Sequence, residues 1–351
     1  MVPFLRMKYL RCVIVLGAVL TVSIRAEIAN GEATLIAIKG RPTLTAANGA
    51  AAPAKVGDKL TPGARVVSGA GSEATVRFFD GTVAVVQADS DVTLETLSVT
   101  TESGRVKKET TTVNLRKGGT VAILNPAKKA VTDYRVRTPR GVAVARGTVF
   151  AVRLAQNQLD ATVTTMSGTV TFITDQGEVT VGFGRVTYGS GVMSVAQAVA
   201  ANPSLAQQFV EAATSVAAAI GAGAIGSATQ VNATLAALVD VAVQAVPNQA
   251  ANIASNVLTA AAPGLGSNGA PAAIVIAQAA VRAANKVDGA LGQNIGNEVA
   301  QAVATTAANL SIPITLAALQ AAVRQESLIA GDTNPILAPL DQTQVIVSPV
   351  R

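Results

Sequence analysis

The stretch Val136-Arg-Thr-Pro-Arg-Gly-Val-Ala-Val-Ala-Arg-Gly-Thr-Val-Phe-Ala-Val152 says more about the architecture than any other part of the chain. Pro139 locks its own φ and sets a turn. Gly147 permits a corner that a β-carbon would forbid. Between and after these points the residues are small or apolar, so the segment reads as strand, turn, strand, corner and a final apolar strand. Arg135, Arg137, Arg140 and Arg146 lie close together here, and on extended backbone Arg135 and Arg137 share a face.

Working outward, the same grammar continues on both sides. Ala33-Thr-Leu-Ile-Ala-Ile-Lys39 alternates and is closed by Gly40. Asp80-Gly81, between Ala74–Phe79 and Thr82–Val86, is the strongest short-range hairpin signal. Val92–Leu97, Val113–Leu115, Thr120–Leu124, Thr162–Met166, Thr169–Ile173 and Val179–Val181 extend the series. Short alternating segments, spaced by roughly 8–12 residues and broken by glycine turns, predict an all-β sandwich or β-roll over residues 27–191.

The motifs along this region also resemble those of the FecR-like domain. In order they are Val56–Gly63, Gly71–Thr82, Leu115–Thr120, the Thr138-Pro139 turn with its Arg146-Gly147-Thr148 corner, and Met166–Val170. The likeness covers residues 31–191, a little under half the chain. It implies an exported β domain of the kind found in the periplasmic halves of anti-sigma regulators, which sense an outer-membrane receptor. Only about eleven residues precede the N-terminal apolar run, so a sigma-factor-binding region before it is not expected.

The arginines supply the candidate site. A guanidinium fits a carboxylate or phosphate with two parallel hydrogen bonds. Arg135, Arg137, Arg140 and Arg146 therefore form a tentative ligand-binding patch for an anionic cell-wall polymer (peptidoglycan or another anionic glycan) or an envelope protein. The alternative for Arg146, Gly147 and Thr148 is structural, with Arg146 bonding strand-end carbonyls. Lys107/Lys108 and Lys128/Lys129 read as solvated loop charges.

After Gly191 alanine dominates and charge nearly vanishes: residues 192–351 carry 4 basic and 7 acidic side chains, against 19 and 14 in residues 27–191. Helix starts are expected at Asn202-Pro203, Ser227, Pro247, Pro271, Asn294 and Pro313. Apolar residues follow helical spacing, as at Leu205, Phe209, Ala212 and Val216. The expectation is an α-helical, Ala-rich repeat domain over residues 192–330, six tandem helices forming a short solenoid or a bundle. Membrane packing and a disordered spacer are the rival readings. Gln207, Glu211, Gln244, Arg282 and Glu298 interrupt the candidate spans. Residues 331–351 read as an extended tail, in which Thr343–Ser348 alternates weakly.

At the other end, Arg6, Lys8 and Arg11 precede an apolar run, Cys12–Ile24, and a small-residue exit at Ala26. That is the pattern of a secretory signal peptide over residues 1–26, and the run of about 13 residues is shorter than the roughly 20 of a membrane span. The expected location is the periplasm or outer envelope of a bacterium, with no membrane span in the mature chain. The chain contains no His and no Trp, and its single Cys is Cys12. Disulfides, Cys/His metal sites and Ser-His-Asp chemistry are thereby excluded from residues 27–351. Carboxylate-only catalysis would need Asp89/Asp91 or Glu102/Glu109, which sit in polar, turn-like surroundings. No cofactor, no metal and no nucleic-acid partner is expected, and self-association stays open.

These features lead to a non-enzymatic envelope binding or scaffold protein. The alternative is a signalling accessory that interacts with an outer-membrane receptor.

Overall fold

The computed structural model describes residues 26–47, 49–155, 160–189, 191–225 and 227–329. The expected signal peptide up to residue 25, and the tail from residue 330, lie outside them. Elements are numbered in chain order. The first sheet runs β17 (Gly177–Gly182), β16 (Thr169–Thr174), β13 (Gly141–Ala145), β12 (Thr132–Thr138), β10 (Arg105–Lys117), β9 (Asp91–Glu102), β6 (Arg65–Val67), β3 (Thr43–Thr45), β4 (Ala51–Pro53). To the far end of β9 is added β1 (Ala26–Asn30). The second sheet runs β19 (Gly191–Ser194), β18 (Arg185–Tyr188), β15 (Ala161–Ser167), β14 (Val149–Leu154), β11 (Gly119–Ile123), β8 (Val83–Val86), β7 (Glu73–Phe78), β2 (Ala33–Lys39), β5 (Lys59–Leu60). Pairing among the described strands is antiparallel, except that β10 and β12 run parallel.

The two sheets face each other over a core that includes Leu35, Leu60, Phe78, Leu97, Leu115, Tyr134 and Phe150. Tyr134 of the first sheet meets Phe78 and Phe150 of the second edge-on, at ring distances of 5.8 and 6.1 Å. Such edge-to-face pairs satisfy the ring quadrupoles as well as burying area. The Asp80-Gly81 turn joins β7 to β8 as its sequence predicts: Asp80 accepts from the Thr82 backbone N–H and hydroxyl at 2.8 and 2.7 Å.

Period-2 alternation is not the whole pattern. Every residue of β8 and β11, and five of six in β14, is buried. Ala84, Val86, Ala122, Phe150 and Val152 point into the sandwich, while Val83, Val85, Val121, Ile123, Val149 and Ala151 join a second core. A strand covered on both faces reads as a continuous apolar run, and these three strands do so in the sequence.

The helices provide that cover. They are α1 (Val195–Ala201), α2 (Ser204–Gly221), α3 (Ala228–Ala245), α4 (Ala250–Ala261), α5 (Gly269–Val287), α6 (Gly289–Asn309) and α7 (Leu316–Ile329). Ser194 caps α1 in a reciprocal capping box with Gln197, so the last strand passes directly into the first helix. Helix α2 lies on β8 and β11, and α3 on β15. Leu205, Phe209, Val216, Leu235 and Leu238 share the second core with the strand residues. The molecule is therefore a β-region, residues 26–194, followed by helices, with one sheet sandwiched between two cores.

Five of the expected helix starts fall within about three residues of observed ones, and Ser227 caps α3 through the Gln230 N–H. The exception is Asn294, since α6 begins at Gly289; α1 has no counterpart in the sequence-based count. Packing joins both successive helices, as α2 on α3, α5 on α6 and α6 on α7, and alternate ones, as α3 on α5, α2 on α4 and α4 on α6. A β-carbon on Gly221 would lie 2.4 Å from the Ala260 carbonyl oxygen, so α2 meets α4 almost backbone to backbone.

Candidate functional site

Strand β12 places the arginines. Tyr134 and Val136 turn inward, and Arg135 and Arg137 turn out to solvent on one face, as the strand period requires. Neither is free. Asp133, two residues before Arg135 and so on the same face, accepts both of its guanidinium hydrogen bonds at 2.9 Å. Asp133 also pairs with Lys108 of the neighbouring strand at 2.8 Å. Burial pushes the Asp133 carboxyl up, but the hydrogen bonds from Arg135 and Lys108 outweigh it and hold the group below the usual aspartate range. Arg135 is raised in turn, chiefly by its bond to Asp133. Arg137 lies 3.4 Å from Glu95 of β9, whose other bond comes from Asn114 at 2.7 Å.

Beyond β12 the chain turns at Thr138-Pro139-Arg140-Gly141, where the Thr138 hydroxyl donates to the Gly141 carbonyl at 2.9 Å and accepts from the Arg140 N–H at 3.2 Å. Arg140 is exposed there, at the edge of a cleft of about 1030 Å³. Phe172 and Tyr188 of the sandwich, and Leu205 and Gln208 of α2, also line this cleft. Strand β13 then carries the chain about 17 Å away, so Arg146 stands at the opposite end of the sheet. The structure thus joins Arg135 to Arg137 and separates Arg140 from Arg146.

At the far corner Gly147 has φ +65°, and a β-carbon there would sit 3.0 Å from the Pro126 Cα and 3.3 Å from the Lys129 Cβ. Glycine is required on both counts. The structural alternative for Arg146 needs correcting: it is exposed, and no hydrogen bond or ion pair of its side chain occurs among the described residues. The pattern itself is packed, since Thr148 is buried and its carbonyl accepts from Leu124 N–H at 2.9 Å.

The lysines read as solvated are also corrected in part. Lys108 and Lys128 hold the buried carboxylates of Asp133 and Glu109, the latter at 3.0 Å. Three of the four carboxylates considered for catalysis are taken up by bases: Asp91 by Arg65 in a two-bond pair, Glu102 by Lys107 and Glu109 by Lys128. Among the described residues no cluster of three or more His, Cys, Asp or Glu is placed to hold a metal, and no helix is long and apolar enough to cross a membrane.

Asp133 was the legible omission, because its i, i+2 spacing to Arg135 is in the sequence. Glu95 was not: its approach to Arg137 depends on the β9–β10–β12 register, which includes irregularities between Thr112 and Val113.

Residues 64–171 match the family model described as FecR protein, less than a third of the 351-residue chain. No curated protein matches. Among solved structures, two crystal structures of candidate anti-sigma factors from Parabacteroides distasonis ATCC 8503 are similar in part. The one at 1.65 Å resolution is 15% identical with a TM-score of 0.29, covering 37% of this chain and 57% of its own. The one at 2.50 Å is 13% identical with a TM-score of 0.30, covering 42% and 73%. The chain thus spans little more than half the length of the first. On the family match, the sandwich of this chain contains a FecR domain over residues 64–171.

Proposed function

We propose that this chain is a non-catalytic signalling accessory of the bacterial envelope, whose FecR domain docks on a protein partner, the periplasmic part of an outer-membrane receptor. The observation that carries the reading is the FecR match itself, on a sandwich whose second sheet is covered by the chain's own helices. The outer face of the first sheet, where Arg135 and Arg137 stand, is left for a partner. Arg140 and Arg146 at its two ends have no acidic partner among the described residues, so of the four arginines they have most to gain from one. Arg135 and Arg137 would contribute orientation, since a partner carboxylate must compete with Asp133 and Glu95.

An anionic wall polymer is less well supported. Such a ligand asks for a run of unpaired cations, and here the central two already face carboxylates. Export rests on the N-terminal sequence pattern, and a regulatory rather than catalytic role rests on the family. The test is a pull-down of residues 27–351 against the periplasmic domain of a genomically adjacent receptor. Binding weakened about tenfold in an Arg140→Glu/Arg146→Glu variant is expected, in line with opposed charges at an interface. Receptor-dependent transcription that is unchanged by deleting the gene would overturn the reading.

A further inference from the structure

Between Val195 and Ile329 only eight side chains are ionisable. Four of these meet in one seam between α3, α5 and α7. Lys286 on α5 pairs with Asp240 on α3 at 2.7 Å, and the other Asp240 oxygen accepts from Gln244 on the same helix. One turn earlier on α5, Arg282 pairs with Glu326 on α7 at 3.4 Å, and Gln278 reaches the Ala322 carbonyl at 3.5 Å. The side chains of Asp240 and Glu326 are only 5% and 10% exposed. Burial raises the Glu326 carboxyl despite Arg282 and Lys286, with Asp240 adding to the rise.

The seam also reaches the sandwich. The Lys286 ammonium stands 5.6 Å from the ring centre of Phe183, in the turn between β17 and β18. A cation near an aromatic face is attracted by the ring's negative quadrupole. Phe183 in turn packs on the second core.

Alanine surrounds these groups: Ala242 on α3 and Ala277, Ala280 and Ala284 on α5 are fully buried. Small side chains leave shallow ridges, so sliding one helix a turn along another loses little apolar contact. It would, however, strand a buried charge without its partner. A few buried polar groups are the known device for fixing register between otherwise degenerate helix surfaces.

We propose that Asp240 and Lys286, with Phe183 before them and the Arg282–Glu326 pair behind, form a clasp that sets the register of the helices and ties α7 to the sandwich. The clasp goes beyond the receptor-docking reading and does not depend on it.

Hydrogen exchange on residues 27–351 tests it, comparing α7 with α4. Three variants serve: Lys286→Met, the double variant Asp240→Asn/Lys286→Met, and Phe183→Leu. If charge sets the register, the first two raise α7 exchange about tenfold and Phe183→Leu raises it less, with α4 unchanged. The double variant decides, because it removes both charges and leaves no carboxylate unpaired. A double variant that unfolds at the wild-type temperature yet exchanges rapidly in α7 supports the clasp. Restored α7 protection in the double variant would reduce the pair to ordinary packing and overturn it. Should Lys286→Met fail to fold, the double variant and Phe183→Leu still give the answer.

Discussion

The two halves build their interiors from different material. The sandwich uses large side chains on strands, with Tyr134, Phe78 and Phe150 crossing the gap between sheets. Its ion pairs set half-exposed cations against carboxylates, of which Asp133 and Glu109 are buried. The helices bury alanine in quantity and bring half of their described charges into one seam between α3, α5 and α7. Where side chains are large and varied, packing alone selects one arrangement. Where they are small and alike, polar groups must do the selecting.

The comparison breaks most visibly if the halves can live apart. Ending the chain at Ser194 would bare Val83, Val85, Val121, Ile123, Val149 and Ala151 to water. The expected product is aggregated or strongly dye-binding, because a contiguous apolar face of this kind is not tolerated on a soluble monomer. A monomeric, folded sandwich without dye binding would show that the second core is incidental. Within the full chain, Val121→Asp puts a charge between the second sheet and the helices, with an expected loss above about 4 kcal/mol, read as failure to fold or a collapsed urea midpoint.

Next in size is Tyr134→Ala, at about 3–5 kcal/mol by urea denaturation, the range for losing a buried aromatic. An alanine in the helical seat should cost less per site, and Ala217→Gly about 1 kcal/mol, mostly from helix propensity. Equal losses at the two positions would contradict the contrast between few large contacts and many small ones.

Acid separates the halves by sign. Asp133 holds its proton less readily when folded than when unfolded. Its contribution is therefore present above the ordinary aspartate value of about 3.9 and lost as pH falls through the lower folded value. Glu326 is raised, so its contribution is fullest below the ordinary glutamate value of about 4.3 and lost as pH rises through the folded value. Thermal unfolding against pH should show the acid loss reduced by Asp133→Asn and the opposite slope removed by Glu326→Gln. The smallest stability effects belong to Arg140→Ala and Arg146→Ala, within about 0.5 kcal/mol, as for exposed residues without partners.

Much of the sandwich was legible because its signals are local. Asp80-Gly81 names its own turn, Ala33–Lys39 is a strand over the same residues, and Gly147 sits at the left-handed corner its sequence context suggests. The second core was written more faintly, in Val83–Val86, Thr120–Ile123 and Val149–Val152. Those runs were read as strands, but their continuity already said that both faces would be covered. The site was less legible. Facing direction followed from strand period for Arg135 and Arg137, whereas the separation of Arg140 from Arg146 required knowing that β13 runs between them. Pairings such as Arg137 with Glu95 and Lys286 with Asp240 join residues more than 40 positions apart, and no local pattern encodes them.

The most direct test of the whole account is a hydrogen-exchange footprint of residues 27–351 with the periplasmic domain of an outer-membrane receptor from the same organism. Protection is predicted on β9, β10 and β12 and at the Arg140 turn, with the helices unaffected. A footprint on α2 to α7 with none on the first sheet, or no complex from two folded proteins, would contradict the claim that the uncovered sheet is the working face.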